Sequence, residues 1–198
     1  IDFINAGADV ITTNSYAIVP FHLGKNRFEK EGKDLLNRAG NIAREAVKSH
    51  KKEVTIAASI PPVFGSYKPH VFDSEKSIPI LEIFKNNLIQ YCDLILAETL
   101  SCIDEIETIQ EVFGDCNMPF WMSLTIEDEY KTLPKLRSGE EIVNALGKID
   151  FNKISSVLFN CSQPEVMAKA ITTAKDVIPE NIHIGVYANA FQPIKIGQ

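Results

Sequence analysis

The sequence predicts an α/β fold, and within that class a (β/α)8 TIM-type barrel is favoured over an open doubly wound sheet. Six short apolar runs rich in β-branched residues alternate with segments of helical periodicity, the signature of βα units joined into a parallel sheet. These runs end on polar residues: Thr13-Asn14, Ser59, Glu98-Thr99, Ser123 with Thr125, Asn160-Cys161 and Asn189. In a barrel such ends share one face around one axis, where active sites are built. The phosphate-cradling GxGxxG that often follows the first strand of an open sheet is absent. Alternation by itself fits either architecture.

In chain order, Ile1-Asp2-Phe3-Ile4-Asn5-Ala6 reads as the end of a helix closed by Gly7, and residues 9–14 as the first strand. Lys33–Lys48 then sets Leu35, Leu36, Ala39, Ile42, Ala43 and Val47 on one apolar stripe, predicting an amphipathic crossover helix. Strands follow at 54–60, 93–99, 119–125, 154–161 and 182–189, with helices predicted over 80–91, 103–113, 140–146 and 165–177 between them. Ser101 with Asp104 and Glu105 suits the start of one helix, and Pro164-Glu165 the first turn of another. Trp121 and Phe120 read as core. No linker or low-complexity segment divides residues 1–198, so a single domain is expected.

Composition narrows the function. A formal charge of −6 with scattered lysines leaves no electrostatic footprint for nucleic acid, and no apolar run approaches membrane-spanning length. Four irregularly spaced cysteines, no CxxC pair and no secretory leader argue for a reducing, cytoplasmic compartment. His22, His50, His70 and His183 show no metal-ligand spacing. The first residue is Ile and the chain stops at Gly197-Gln198, which suggests an internal fragment of a longer polypeptide.

Two strand ends carry chemistry. Cys161 closes an apolar strand, bringing a thiol to the rim, where it could serve as a metal ligand if other thiolates met it. Glu98 brings a carboxylate to the same rim, suited to the amino group of an amino-acid substrate, or else to a structural salt bridge. A lyase or aldolase would want a lysine at a strand end, and none of the six strands supplies one.

Taken in order, the segments AGADVITTNSY, IPPVFGSYKP, DLILAET, WMSLT, LFNCSQPE and GVYANAF resemble the homocysteine S-methyltransferase family, zinc-dependent barrels that make methionine. The resemblance implies that these are barrel strands two to seven, with the first and last strands absent. It implies transfer of a methyl group from a sulfonium donor, S-methylmethionine or S-adenosylmethionine, to the zinc-activated thiol of homocysteine. Zinc in the family is held by three cysteines; Cys161 matches the first, and the other two are expected outside this chain. By the same resemblance Cys161 and Glu98 are catalytic, Glu98, Thr13 and Asn160 bind homocysteine, with Asn189 a weaker candidate, and Ser66 lies on the donor side. Lys68 departs from the glycine-proline often found near that serine; pointing inwards, it would disfavour a cationic donor. Structural readings stand beside these: β-propensity for Thr13, and the turn after the strand for Asn160. Without its two partner cysteines the chain itself is alternatively a catalytically incompetent partial barrel, its open strand edges available to a second copy.

Overall fold

The computed structural model describes residues 1–129 and 132–189. Ala190 and Phe191 of the last motif, and Gly197-Gln198, lie outside them. Six strands form one all-parallel sheet: β1 (Val10–Thr12), β2 (Thr55–Ile60), β3 (Leu94–Leu100), β4 (Phe120–Leu124), β5 (Ser156–Asn160) and β6 (His183–Tyr187). Their spatial order is β1-β2-β3-β4-β5-β6. An open doubly wound sheet reverses direction at a switch point, whereas a barrel winds one way throughout. The absence of a reversal therefore decides the fold: the sheet is a curled, partial barrel.

The helices are α1 (Asp2–Asn5), α2 (Pro20–Leu23), α3 (Lys25–Lys48), α4 (Ser74–Asn87), α5 (Ile103–Phe113), α6 (Ile142–Leu146) and α7 (Pro164–Lys175). Helices α3, α4, α5, α6 and α7 pack on the convex face of the sheet. Side chains of a strand alternate between faces, and here the alternation sorts core from site. Ile56, Ala58, Ile60, Ile95, Ala97, Phe120, Met122, Leu124, Val157 and Phe159 point outward into the main core beneath the helices. The concave face holds a smaller cluster of Ala57, Leu94 and Leu96, with Val10, Trp121 and Leu158 packed against it. Both Phe120 and Trp121 are thus core, on opposite faces.

Several predicted bounds move. Helix α3 begins at Lys25 rather than Lys33, because Gly24, at φ 78°, breaks the chain from α2 and the first turns bury only Phe28 and Gly32. Helix α4 runs over Ser74–Asn87 rather than 80–91: Asp73 caps it by accepting from the Lys76 N–H at 3.1 Å, and Pro79 lies inside it. A 3-10 turn, Ile89–Tyr91, follows. Helix α5 matches its predicted span, with Ser101 donating its N–H and hydroxyl to the buried Glu105 carboxylate at 2.5 and 2.9 Å. Ile42, expected on the buried stripe, is 54% exposed. It lines an apolar groove with Phe3 and Ile11 beside β1, an edge strand among the described residues. No helix among the described residues is long and apolar enough to cross a membrane.

The fit of α3 against the turn before β3 is tight enough to test. A Cβ on Gly40 would lie 2.4 Å from Cδ2 and 2.8 Å from Cβ of Tyr91. Tyr91 has no freedom to retreat, since its hydroxyl donates to Asn37 and its carbonyl accepts from Arg44. Gly40→Ala is expected to destabilise the chain by ~1–3 kcal/mol through overpacking, read as a lower urea midpoint at unchanged slope.

Candidate active site

The inward alternation that builds the concave cluster ends, strand by strand, on polar side chains. Ser59, Glu98, Ser123, Asn160 and Tyr187 are the last inward residues of β2, β3, β4, β5 and β6. At this rim the backbone is also strained. Tyr67, Thr99 and Cys161 are the non-glycine residues with positive φ among the described residues, at 60°, 62° and 52°. Thr99 takes this conformation where β3 slips its register against β4 between Ala97 and Leu100. The three meet: Thr99 Oγ1 lies 4.0 Å from Cys161 Sγ, and the Tyr67 hydroxyl lies 3.5 Å from the Cys161 carbonyl. Left-handed backbone at non-glycine residues persists only where surrounding contacts enforce it, and it clusters at functional sites.

Asn160 is fully buried and ties three strand ends together. Its Oδ1 accepts from Ser123 Oγ at 2.9 Å, and its Nδ2 donates to Thr99 Oγ1 at 2.8 Å and towards Cys161 Sγ at 3.2 Å. One amide thus secures the turn after β5 and faces the sulfur. Cys161 itself is half-buried, its N–H donating to the Tyr187 carbonyl at 3.2 Å. Asn189 donates its N–H to the Ser162 carbonyl at 2.9 Å.

Glu98 lines a cavity of about 580 Å³ with Thr13, Asn14, Tyr16 and Ser59. No ion pair among the described residues reaches Glu98. Burial pushes its carboxyl above the ordinary glutamate range, opposed by a hydrogen bond from Ser59. Thr13, 2% exposed, shares a 2.8 Å hydrogen bond with Ser15 and accepts the Ser59 N–H at 3.1 Å, so its hydroxyl also stitches β1 to β2. Ser66 bonds the Tyr16 hydroxyl at 2.6 Å. Lys68 does not point inwards: its Nζ sits 4.6 Å from the centroid of the Phe21 ring, itself 47% exposed. Tyr16 and Tyr187 are held above the ordinary tyrosine range, chiefly by burial, and the charges of both Glu98 and Cys161 add to it. Carboxylate and thiol therefore both act on these two tyrosines from one rim.

Four participants escaped the sequence reading: Tyr16, Tyr67, Arg137 and Asp128. Arg137 lies in the loop between β4 and α6 and grips Asp128 with two nitrogens at 2.8 and 3.1 Å. Its Nη2 also donates to the Cys161 carbonyl at 3.3 Å. A lone arginine in a polar loop carries no local signal of such a role. The tyrosines could have been found, because Tyr16 closes the AGADVITTNSY segment and Tyr67 directly follows Ser66, both already singled out.

A model of the family described as Homocysteine S-methyltransferase matches residues 1–198. The chain belongs to that family. Its sequence is 25% identical over 224 residues to a betaine-homocysteine S-methyltransferase of Drosophila melanogaster, covering 96% of this chain and 66% of that one. It is 27% identical over 198 residues to homocysteine S-methyltransferase 1 of Arabidopsis thaliana, covering 86% and 59%. The chain thus spans between 59% and 66% of the length of these two relatives. The crystal structure of the apo homocysteine methyltransferase MmuM from Escherichia coli superposes with a TM-score of 0.73 at 18% identity. That superposition covers 96% of this chain and 78% of MmuM, and it shows a shared fold.

Zinc, expected from the family resemblance, is not fully provided for. Among the described residues no three His, Cys, Asp or Glu side chains are grouped to hold a metal. Cys161 is the one partly exposed cysteine at the C-terminal ends of the strands, where Cys102 is buried. Burial pushes the Cys92 and Cys102 thiols up to about 12, and Cys92 donates to the Leu88 carbonyl. Cys116 follows α5, at the opposite end of the strands. The described residues therefore do not by themselves form a zinc site.

Proposed function

We propose that the polypeptide carrying this chain transfers a methyl group from a sulfonium donor, S-methylmethionine or S-adenosylmethionine, to the thiol of homocysteine, giving methionine. The observation that carries this reading is a carboxylate, Glu98, without an ion pair among the described residues, and a thiol, Cys161, at one rim and both within electrostatic reach of Tyr16 and Tyr187, in a chain belonging to the homocysteine S-methyltransferase family. Glu98 receives the ammonium group of homocysteine, with Thr13 beside it. Asn160 and Thr99 face the sulfur and orient it. Ser66, with Tyr16, lines the donor side, and Lys68, turned onto Phe21, leaves that side open to a cation. The homocysteine thiol gives its proton to solvent, and its sulfur attacks the methyl carbon. The carbon–sulfur bond of the sulfonium breaks, its electron pair stays with the departing neutral thioether, and the new bond completes methionine. Such an in-line displacement depends mainly on holding the two sulfurs in line across the methyl.

Zinc belongs to this reading only through Cys161, as one thiolate ligand whose partners lie outside the described residues. The same shortfall favours a second reading for the 198 residues alone: a partial barrel with no complete zinc site and no activity of its own. Free cysteines throughout support a reducing, cytoplasmic setting. The outer edges of β1 and β6, unpaired among the described residues, would accept a second copy.

The full-length polypeptide, supplied with zinc, homocysteine and each donor separately, is expected to form methionine in step with loss of a sulfonium donor, followed by chromatography. Methionine from betaine alone would overturn the donor class and keep the acceptor. None from any donor would sink the reading.

A further inference from the structure

The loop between β4 and α6 is a strap rather than a free connection. Isolated bridges pair Ile126 with Leu136 and Lys135 with Glu141, and the Glu127 N–H donates to the Lys135 carbonyl. Arg137, at its turn, touches three other parts of the rim. Its guanidinium grips Asp128, donates to Thr125 Oγ1 at 3.5 Å and to the Cys161 carbonyl at 3.3 Å, and lies 5.1 Å from the centroid of the Tyr67 ring. Asp128 in turn accepts the Gln163 N–H at 2.8 Å. The Cys161 carbonyl thus faces donors from two other loops, Arg137 and the Tyr67 hydroxyl, while Cys161 and Tyr67 both hold left-handed backbone.

We propose that Arg137 is a positioning residue: through the Cys161 carbonyl and the Tyr67 ring it locks the loops after β2 and β5 together, which aims the Cys161 sulfur at Asn160 and Thr99. It touches no reacting atom. The planar, forked guanidinium matters as well as its charge, because one group binds a carboxylate through two nitrogens, reaches a carbonyl and stacks on a ring. A lysine ammonium cannot do all three. The inference rests on Cys161 being the working thiol of the reading above.

The test uses Arg137→Lys in the full-length polypeptide, with amide hydrogen exchange by mass spectrometry and, after chelation, iodoacetamide labelling of each cysteine. Exchange in residues 65–69 and 159–163, far apart in sequence, is expected to rise together by about fivefold or more. Labelling of Cys161 is expected to rise several-fold relative to Cys116, the half-buried internal control. A rise confined to residues 126–141, or a uniform rise across the chain with an unchanged ratio of Cys161 to Cys116, overturns the proposal. If Arg137→Lys does not fold, Asp128→Asn, which removes one charge from the clamp and leaves Arg137 in place, is held to the same two outcomes. Neither readout involves methyl transfer, so failure to make methionine and failure of the Arg137 lock are told apart.

Discussion

Cys161→Ser, introduced into the full-length polypeptide, is expected to abolish zinc binding and to lower kcat/KM for homocysteine by at least ~10³-fold, equivalent to about 4 kcal/mol of lost transition-state stabilisation. The substitution is close to isosteric, and the hydroxyl can still accept from Asn160 Nδ2, which lies 3.2 Å from the sulfur. Stability should therefore change by no more than ~0.5 kcal/mol. A serine hydroxyl, unlike a thiol, stays protonated near neutral pH and is a poor ligand for a soft-ligand zinc site. Metal content by atomic absorption and methionine formation decide the matter: a variant keeping both within tenfold of the parent would remove Cys161 from the chemistry.

Glu98→Gln should separate function from stability. On the proposal that Glu98 receives the homocysteine ammonium, losing its charge removes about 1.5–3 kcal/mol of binding, so the Michaelis constant for homocysteine should rise roughly 10- to 150-fold. The turnover number should move far less, since the group binds rather than reacts. Stability should move the other way at neutral pH. The folded chain raises the Glu98 pKa by burial, so it binds that proton more tightly than the unfolded chain does. Sign follows from linkage: the folded state is favoured by this proton at low pH, and the advantage is lost as pH rises from the ordinary value of 4.5 through the raised folded value. Glutamine carries no such penalty. Urea unfolding at pH 4 and pH 7 should therefore show the variant gaining on the parent at the higher pH, and equal midpoint differences at the two pH values would refute the assignment. Homocysteine binding by the parent should weaken as pH falls through the same raised value, because the carboxylate that meets the ammonium is then neutralised.

Much of the rim was legible because strand periodicity is rigid: in β2, β3, β4 and β5 the polar residue that ends the apolar run is also the last inward side chain. Helix α5 was legible for the same reason, its stripe being complete from Ile106 to Phe113. Elsewhere local pattern gave way to tertiary context. The opening of α3 carries few apolar residues, so its helix is set by Gly24 and by packing of Phe28. DLILAET reads as an uninterrupted strand, and nothing in those letters announces that Thr99 turns left-handed where the register slips. The direction of Lys68 depended on Phe21, 47 positions earlier in the chain. Arg137 depended on Asp128, Tyr67 and Cys161 together, a meeting that only the folded rim creates.

The alternation of the strands also makes each of them two messages written in interleaved letters. In β3, Ile95 and Ala97 are read by the helices outside, while Leu94, Leu96 and Glu98 are read by the cup inside. The two sets are separated by the thickness of the sheet and share no side-chain partners. Changes to one set should therefore add to changes in the other, as they do for sites without common contacts. The inner letters could be rewritten for a different acceptor, one position at a time, without repacking the outer layer, so this scaffold can change its chemistry while keeping its shape.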